Sequence, residues 1–290
     1  MSELLQLGLS GLAVGCIYGL VALGFALIYK ATEVVNFAQG DLMMLGAFVA
    51  WALVTGQGMS PWVGPILAML ILAVFGYGLD RLVMRRNIGQ PQFAMVMLTL
   101  GLGFVFRSVA GMVWGTETYT IRTPFSGRVF AGGGVVLSLE YLSIIVTTLL
   151  VCGGLFVFFR YSTVGVAMQA TSQNQLAAAY VGIPVKRLFS MVWALSAALA
   201  AVAGVLLAPV SLIDTNMGLI GLKSIAAAVL GGFGSIPGAV VGGLIVGLIE
   251  QYAGVYLDAG FKDIAAWVVL LLVLVVRPQG LFGQVGRKKV

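Results

Sequence analysis

The sequence predicts an all-α protein that crosses a membrane many times. Three observations carry this. Hydrophobic residues make up 60% of the 290 and charged residues only 9%, where soluble domains hold about 25% charged. Mean hydropathy is +1.07. The apolar residues gather in runs near the roughly 20 residues that span a bilayer, with short polar stretches between them. The net charge of +6 sits in those stretches and in the tail. Orientation in the membrane and anionic lipid account for it there, so it is not a nucleic-acid signal.

The composition also removes several chemistries. There is no histidine, hence no imidazole acid–base chemistry, metal ligation or proton relay. Cys16 and Cys152 fall inside apolar runs and read as small buried hydrophobes, with no metal site expected. The nearest approach to a phosphate-binding loop, GLIGLKS at 218–224, lacks the adjacent Gly-Lys and the spacing. The chain is therefore not expected to hydrolyse ATP itself. The opening MSELLQLGLSG has no basic n-region and continues into apolar sequence, which reads as a retained first span.

That first span covers 4–29. Gly11, Gly15 and Gly19 recur every four residues and lay a ridge of small residues along one helix face, suited to packing within the molecule. Lys30 and Glu33 follow at a spacing that permits a local pair. Asn36, Phe37, Gln39, Gly40 and Asp41 then interrupt two apolar runs. A polar, glycine-interrupted entry fits a broken helix lining a cavity. It equally fits an interfacial cap with Asp41 at the start of the next helix.

Spans two and three are predicted over 42–55 and 62–79, joined by GQGMSP. The loop 80–90 carries Arg81, Arg85 and Arg86 and belongs on the cytoplasmic side. Span four, 92–114, contains Arg107. At about 1.5 Å per residue, Arg107 lies roughly 22 Å along the helix, in the outer third, from where it can snorkel to the interface. Trp114 and Tyr119 suit an aromatic belt just beyond. Loop 115–138 alternates polar and apolar residues in TETYTIRT and turns before GRVF and GGGVVL, which reads as a small extracytoplasmic β-hairpin.

The fifth span, 139–159, and the sixth, 188–212, flank the stretch RYSTVGVAMQATSQNQLAAAYVGIPVKR, 160–187. Basic residues at both of its ends favour the cytoplasm. Its short helix stops at Gly182-Ile183-Pro184. Too short to stand alone in water, it reads as a docking helix for a soluble partner. After 214–222 returns outside, 224–252 forms two apolar segments broken by Gly231, Gly232, Gly234, Ser235 and Pro237. Proline lacks the backbone donor, so this is a discontinuous helix or a turn at membrane depth. Glu250, near the far end, is expected at the interface. The last run, 265–276, leads to a basic tail, RPQGLFGQVGRKKV. Counting 224–232 as a crossing gives nine, with the N-terminus outside and the tail inside; a re-entrant 224–232 gives eight and leaves the side of the N-terminus open. NFAQGDLMMLG and GFGSIPGAVVGG form a faint internal echo of the kind inverted repeats leave.

Four strings together are similar to permease subunits of ABC importers for branched-chain and other hydrophobic amino acids, the LivH type. They are GLAVGCIYGLVALGFALIYKATEVVNFAQGDLMMLGAF, AAAYVGIPVKR, GLKSIAAAVLGGFGSIPGAVVGGLIVGLIE and VVLLLVLVVRPQGLFG. The resemblance covers nearly the whole chain and implies one transmembrane permease domain, 1–290. It implies a second related permease, two ATPase subunits that hold ATP and Mg, and a soluble substrate-binding protein outside. It also implies that Gln173, Asn174, Gln175, Ala177, Ala178, Gly182 and Ile183 form the coupling helix. Many relatives carry a glutamate before the paired alanines, where this chain has Leu176, and a histidine where it has Gln39. The family also serves amides, urea and aromatic acids.

The expected function is thus an inert half-pathway in the bacterial inner membrane, opened and closed by ATPases acting on 160–187. Asn36, Phe37, Gln39, Gly40, Asp41, Gly234, Ser235 and Pro237 would line it. The alternative is a stand-alone channel or secondary carrier for small neutral solutes. That reading leaves the docking loop without a role and finds few intramembrane ionisable groups for ion coupling. A membrane enzyme lacks clustered carboxylates or metal ligands altogether.

Overall fold

A computed structural model describes residues 2–87, 90–132, 135–257 and 260–283. Helix α1 (Ser2–Thr32) is followed by α2 (Gln39–Trp51), which runs on through a π turn at Ala52–Gly56, then α3 (Val63–Leu82) and α4 (Gln92–Trp114). Strands β1 (Val129–Gly132) and β2 (Val135–Ser138) pair antiparallel, with Val129 opposite Ser138. TETYTIRT forms no strand beyond one antiparallel bridge between Tyr119 and Ile213. Then come α5 (Leu139–Tyr161), α6 (Thr163–Gln173), α7 (Gln175–Tyr180), α8 (Val185–Leu207), α9 (Ile220–Gly231), α10 (Ile236–Tyr256) and α11 (Phe261–Val276).

Among the described residues, seven helical segments are long and apolar enough to cross a membrane. The eight or nine crossings expected from sequence also counted α9 and α11. At about 1.5 Å per residue these reach only roughly 18 and 24 Å, against a hydrocarbon core of about 30 Å.

Helix α1 is the axis of the bundle. From Gly11 onward it is apolar on every side and largely buried. Its glycine ridge meets α10 head to tail, with Gly11 on Leu248, Gly15 on Leu244 and Gly19 on Val240. Gly243 and Gly247 of α10 return onto the backbone of Gly19 and Gly15. The ridge does serve packing within the molecule, and backbone lies on backbone along its length.

Two joints interrupt the helices. Glu33 takes a φ of 57° and ends α1, so the local pair with Lys30 does not form among the described residues. Helix α2 then begins against Gly24, eight residues back along α1 or about 12 Å inward at 1.5 Å per residue. It is therefore a helix that starts at membrane depth, the broken-helix alternative, and Asp41 is not an interfacial cap. The second joint lies between α9 and α10. Gly232 (φ 99°) turns the chain, Ser235 accepts from the Gly238 N–H at 3.1 Å, and Pro237 sits in the first turn of α10, where no donor is missed.

The tail completes this second joint. The N–H groups of Leu281 and Phe282 donate to the Leu230 and Gly231 carbonyls at 2.8 and 3.1 Å. Those carbonyls end α9 and have no partner within their own helix. A backbone strap thus satisfies them.

Candidate functional site

The docking stretch folds as a capped knuckle. The Ser162 hydroxyl accepts from Gly165 N–H and starts α6, and Asn174 Oδ1 accepts from Ala177 N–H at 2.9 Å and starts α7. At the far end Gly182 takes a φ of 85°. Its N–H reaches the Ala179 carbonyl at 3.1 Å and the Ile183 N–H reaches Ala178 at 3.0 Å, a Schellman closure that needs the glycine. These caps hold a helix of six residues that propensity alone would not.

Of the residues expected to touch a partner, Gln173, Asn174, Gln175, Ala177 and Gly182 are exposed, Ile183 is half-buried and Ala178 is buried. Ala178 faces the protein. Sequence reasoning missed the apolar crest beside it. Leu176, Tyr180 and Val181 are 72%, 87% and 76% exposed.

The knuckle is anchored to three helices. Gln175 Nε2 donates to the Ala31 carbonyl at the end of α1 (3.1 Å), and Gln169 Nε2 donates to the Phe159 carbonyl at the end of α5 (3.3 Å). The Arg85 guanidinium donates to the Lys186 carbonyl at 2.8 Å and to Ser190 Oγ at 2.6 Å, 3.4 Å from Asp80. This ties the start of α8 to the end of α3.

The second set of expected site residues divides. Asn36, Gln39, Gly40 and Asp41 are buried inside this one chain. Asn36 Nδ2 donates to Gln39 Oε1 (3.2 Å), and Gln39 Nε2 donates to the Ser196 carbonyl (3.1 Å). The Ser196 hydroxyl sits 3.0 Å from both Gln39 Oε1 and the Gly24 carbonyl. Half-buried Phe37 donates its N–H to Thr99 Oγ1 of α4 at 3.2 Å. Gly40 packs on the backbone of Gly218 and Gly221. Within the joint, Asn36 Oδ1 accepts from the Ala38 N–H at 3.1 Å, while Gln39 and Ser196 tie α2 to α8 and α1. Gly234, Ser235 and Pro237, in contrast, open onto a cleft beside α10.

Three further ion pairs tie the helices, one at the first joint and two at the ends of α9 and α10 remote from the second. Arg107 Nε donates to Asp41 Oδ1 at 2.6 Å, with the Asp41 side chain 4% exposed. Arg107 therefore turns inward and does not snorkel. Lys223 Nζ lies 2.7 Å from both Glu250 Oε1 and Asp263 Oδ1, and the Tyr18 hydroxyl donates to Glu250 Oε2 at 2.6 Å. Glu250 is buried, not interfacial, because it binds α1, α9 and α10 together. The signal was present in the sequence, since isolated charges inside apolar runs usually have a partner of opposite sign. No group of metal-ligating side chains occurs among the described residues.

Long apolar helices, joints at membrane depth and polar groups spent on closing those joints define a multi-pass membrane protein. Residues 8–276 match the family model for the permease component of the branched-chain amino acid transport system, and the chain belongs to that family. The high-affinity branched-chain amino acid transport system permease protein BraD of Pseudomonas aeruginosa is 32% identical, with 99% of this chain and 98% of BraD covered. The corresponding permease LivH of Salmonella typhimurium is 31% identical, covering 99% and 97%. A probable branched-chain amino acid permease of Methanocaldococcus jannaschii is 30% identical, covering 91% and 88%.

Proposed function

We propose that the chain is the permease subunit of an ATP-driven importer for branched-chain or related hydrophobic amino acids, with amides, urea and aromatic acids as the wider solute class. The relatives' branched-chain amino acid transport supports the amino-acid part of that class. The observation that carries the mechanism is the crest of Leu176, Tyr180 and Val181, exposed on a helix otherwise locked by caps. Apolar side chains held rigidly in a polar loop fit a protein partner. The partners in this reading are a second related permease, two ATPases that bind ATP and Mg, and an external binding protein.

The knuckle, the Arg81–Arg86 turn and Lys186 and Arg187 share one end of the bundle, which this reading places in the cytoplasm of a bacterial inner membrane. The β1–β2 hairpin then lies outside, toward the binding protein. A push on the knuckle reaches α1 through Gln175, α5 through Gln169, and α3 and α8 through Arg85. The joints at 33–38 and 232–235 act as pivots of alternating access, and the solute passes alongside the chain, between it and the second permease.

The test uses the assembled transporter in proteoliposomes. Tyr180→Asp or Leu176→Asp should lower solute-stimulated ATP hydrolysis at least tenfold while membrane insertion and helicity stay normal. Unchanged stimulation, or gradient-driven uptake by the isolated chain, would sink the proposal.

A further inference from the structure

A cleft of about 630 Å³ lies between α5 and α10, floored by α1. The two helices each pack on α1 but not substantially on one another. Its volume falls within the roughly 300–1,000 Å³ typical of small-molecule sites.

The cleft is amphiphilic along its length. Its polar side chains, Lys30, Gln169 and Ser235, stand at one end: the end of α1, the middle of α6 and the start of α10. Inward of them the walls are apolar, with Leu23, Leu155, Phe156 and Val241 among the lining residues. Leu23 is seven residues from Lys30, which puts the apolar depth at about 10 Å at 1.5 Å per residue. Among the described residues Lys30 has no ion-pair partner. Gln169 is committed to Phe159 and Ser235 to Gly238, so Lys30 alone is left to meet a charge. Arg160, at the same end, lies over the rings of Phe156 and Tyr161.

We propose that this cleft holds an acyl chain of an anionic phospholipid, with the headgroup phosphate paired to Lys30. The polarity gradient matches an amphiphile that enters tail-first from the bilayer, and the uncompensated ammonium selects a negative headgroup. The basic end of the bundle places that headgroup in the leaflet where anionic lipid collects. A bound lipid would then bear on Gly234, Ser235 and Pro237, so lipid composition would act on the α9–α10 joint.

The experiment is native mass spectrometry of the full chain, co-expressed with its second permease and released from nanodiscs of equal phosphatidylglycerol and phosphatidylcholine with identical acyl chains. The wild type should retain one phosphatidylglycerol per chain, favoured about fivefold, the preference one lysine near a membrane surface supplies. Lys30→Gln should erase that preference. Lys186→Gln, which removes a charge at the same end but off the cleft, should keep it. Val241→Trp, filling the cleft, should lose the retained lipid. The proposal fails if the wild type shows no preference, or if Lys186→Gln weakens it as much as Lys30→Gln does. It fails too if Val241→Trp keeps its lipid but loses the second permease, for then protein fills the cleft. Should Val241→Trp not fold, the two lysine variants still decide.

Discussion

Adding a single methyl group at Gly15 tests the central packing directly. A Cβ built there lies 2.8 Å from Leu244 Cα and 2.9 Å from the Gly243 carbonyl oxygen. Both are backbone atoms of α10, so no side chain can swing away. Restoring an ordinary carbon–carbon separation of about 3.5 Å requires α1 and α10 to part by roughly 0.7 Å, enough to forfeit a quarter to a half of the dispersion at each contact there. Overpacking of this kind costs about 1–3 kcal/mol. Replacing a mid-helix glycine by alanine returns about 1 kcal/mol. Gly15→Ala should therefore destabilise by up to about 2 kcal/mol. Gly19→Ala meets Val240 at 3.3 and 3.4 Å, a few tenths of an ångström short of comfort, and should be near neutral. Gly101→Ala, in α4 with nothing within 4 Å, should gain up to about 1 kcal/mol. Titration with SDS, followed by helical circular dichroism and by thiol labelling of buried Cys16, ranks the three. If Gly15→Ala proves as stable as Gly101→Ala, α1 and α10 do not meet backbone to backbone.

Two further outcomes follow from the joints. Arg107→Gln leaves the Asp41 carboxylate buried without its partner and should cost about 3–5 kcal/mol in the same titration. Asp41→Asn should cost less, because Arg107 is partly exposed (28%) and can turn outward; no loss on Arg107→Gln would mean the pair does not form. Gly280→Ala should open the strap on α9, since Gly280 has a φ of 78° and a Cβ there would stand 2.5 Å from the Val229 carbonyl and 2.7 Å from the Gly232 nitrogen. Faster amide exchange at Leu281 and Phe282, with α1 unchanged, is the expected readout; unaltered exchange would refute the strap.

The apolar runs were legible because period and length suffice to locate a helix in lipid, and Gly11, Gly15 and Gly19 announced their ridge by spacing alone. The short helix at 175–180 was legible through its stop at Gly182. What escaped was everything settled between distant segments. Arg107 and Asp41 looked independent because 66 residues separate them, and a helix wheel cannot show which face of α4 meets α2. Glu250 was placed at the interface by counting residues from the start of its helix, without the knowledge that Lys223 and Tyr18 wait there. Polarity at membrane depth has more than one use, and the sequence could not show that Asn36 caps the Ala38 N–H while Gln39 reaches across to α8. Leu176 and Tyr180 passed as ordinary loop residues, since exposure cannot be read from composition.

The strap from Leu281 and Phe282 to the end of α9 also bears on how the molecule is made. When α9 leaves the ribosome its last carbonyls have nothing to bind. Their donors lie beyond α10 and α11 in the chain. A chain in which those two helices fail to fold back on α9 leaves the carbonyls open. The finished joint is thus a receipt for correct threading, issued only when the final helical hairpin has been laid down.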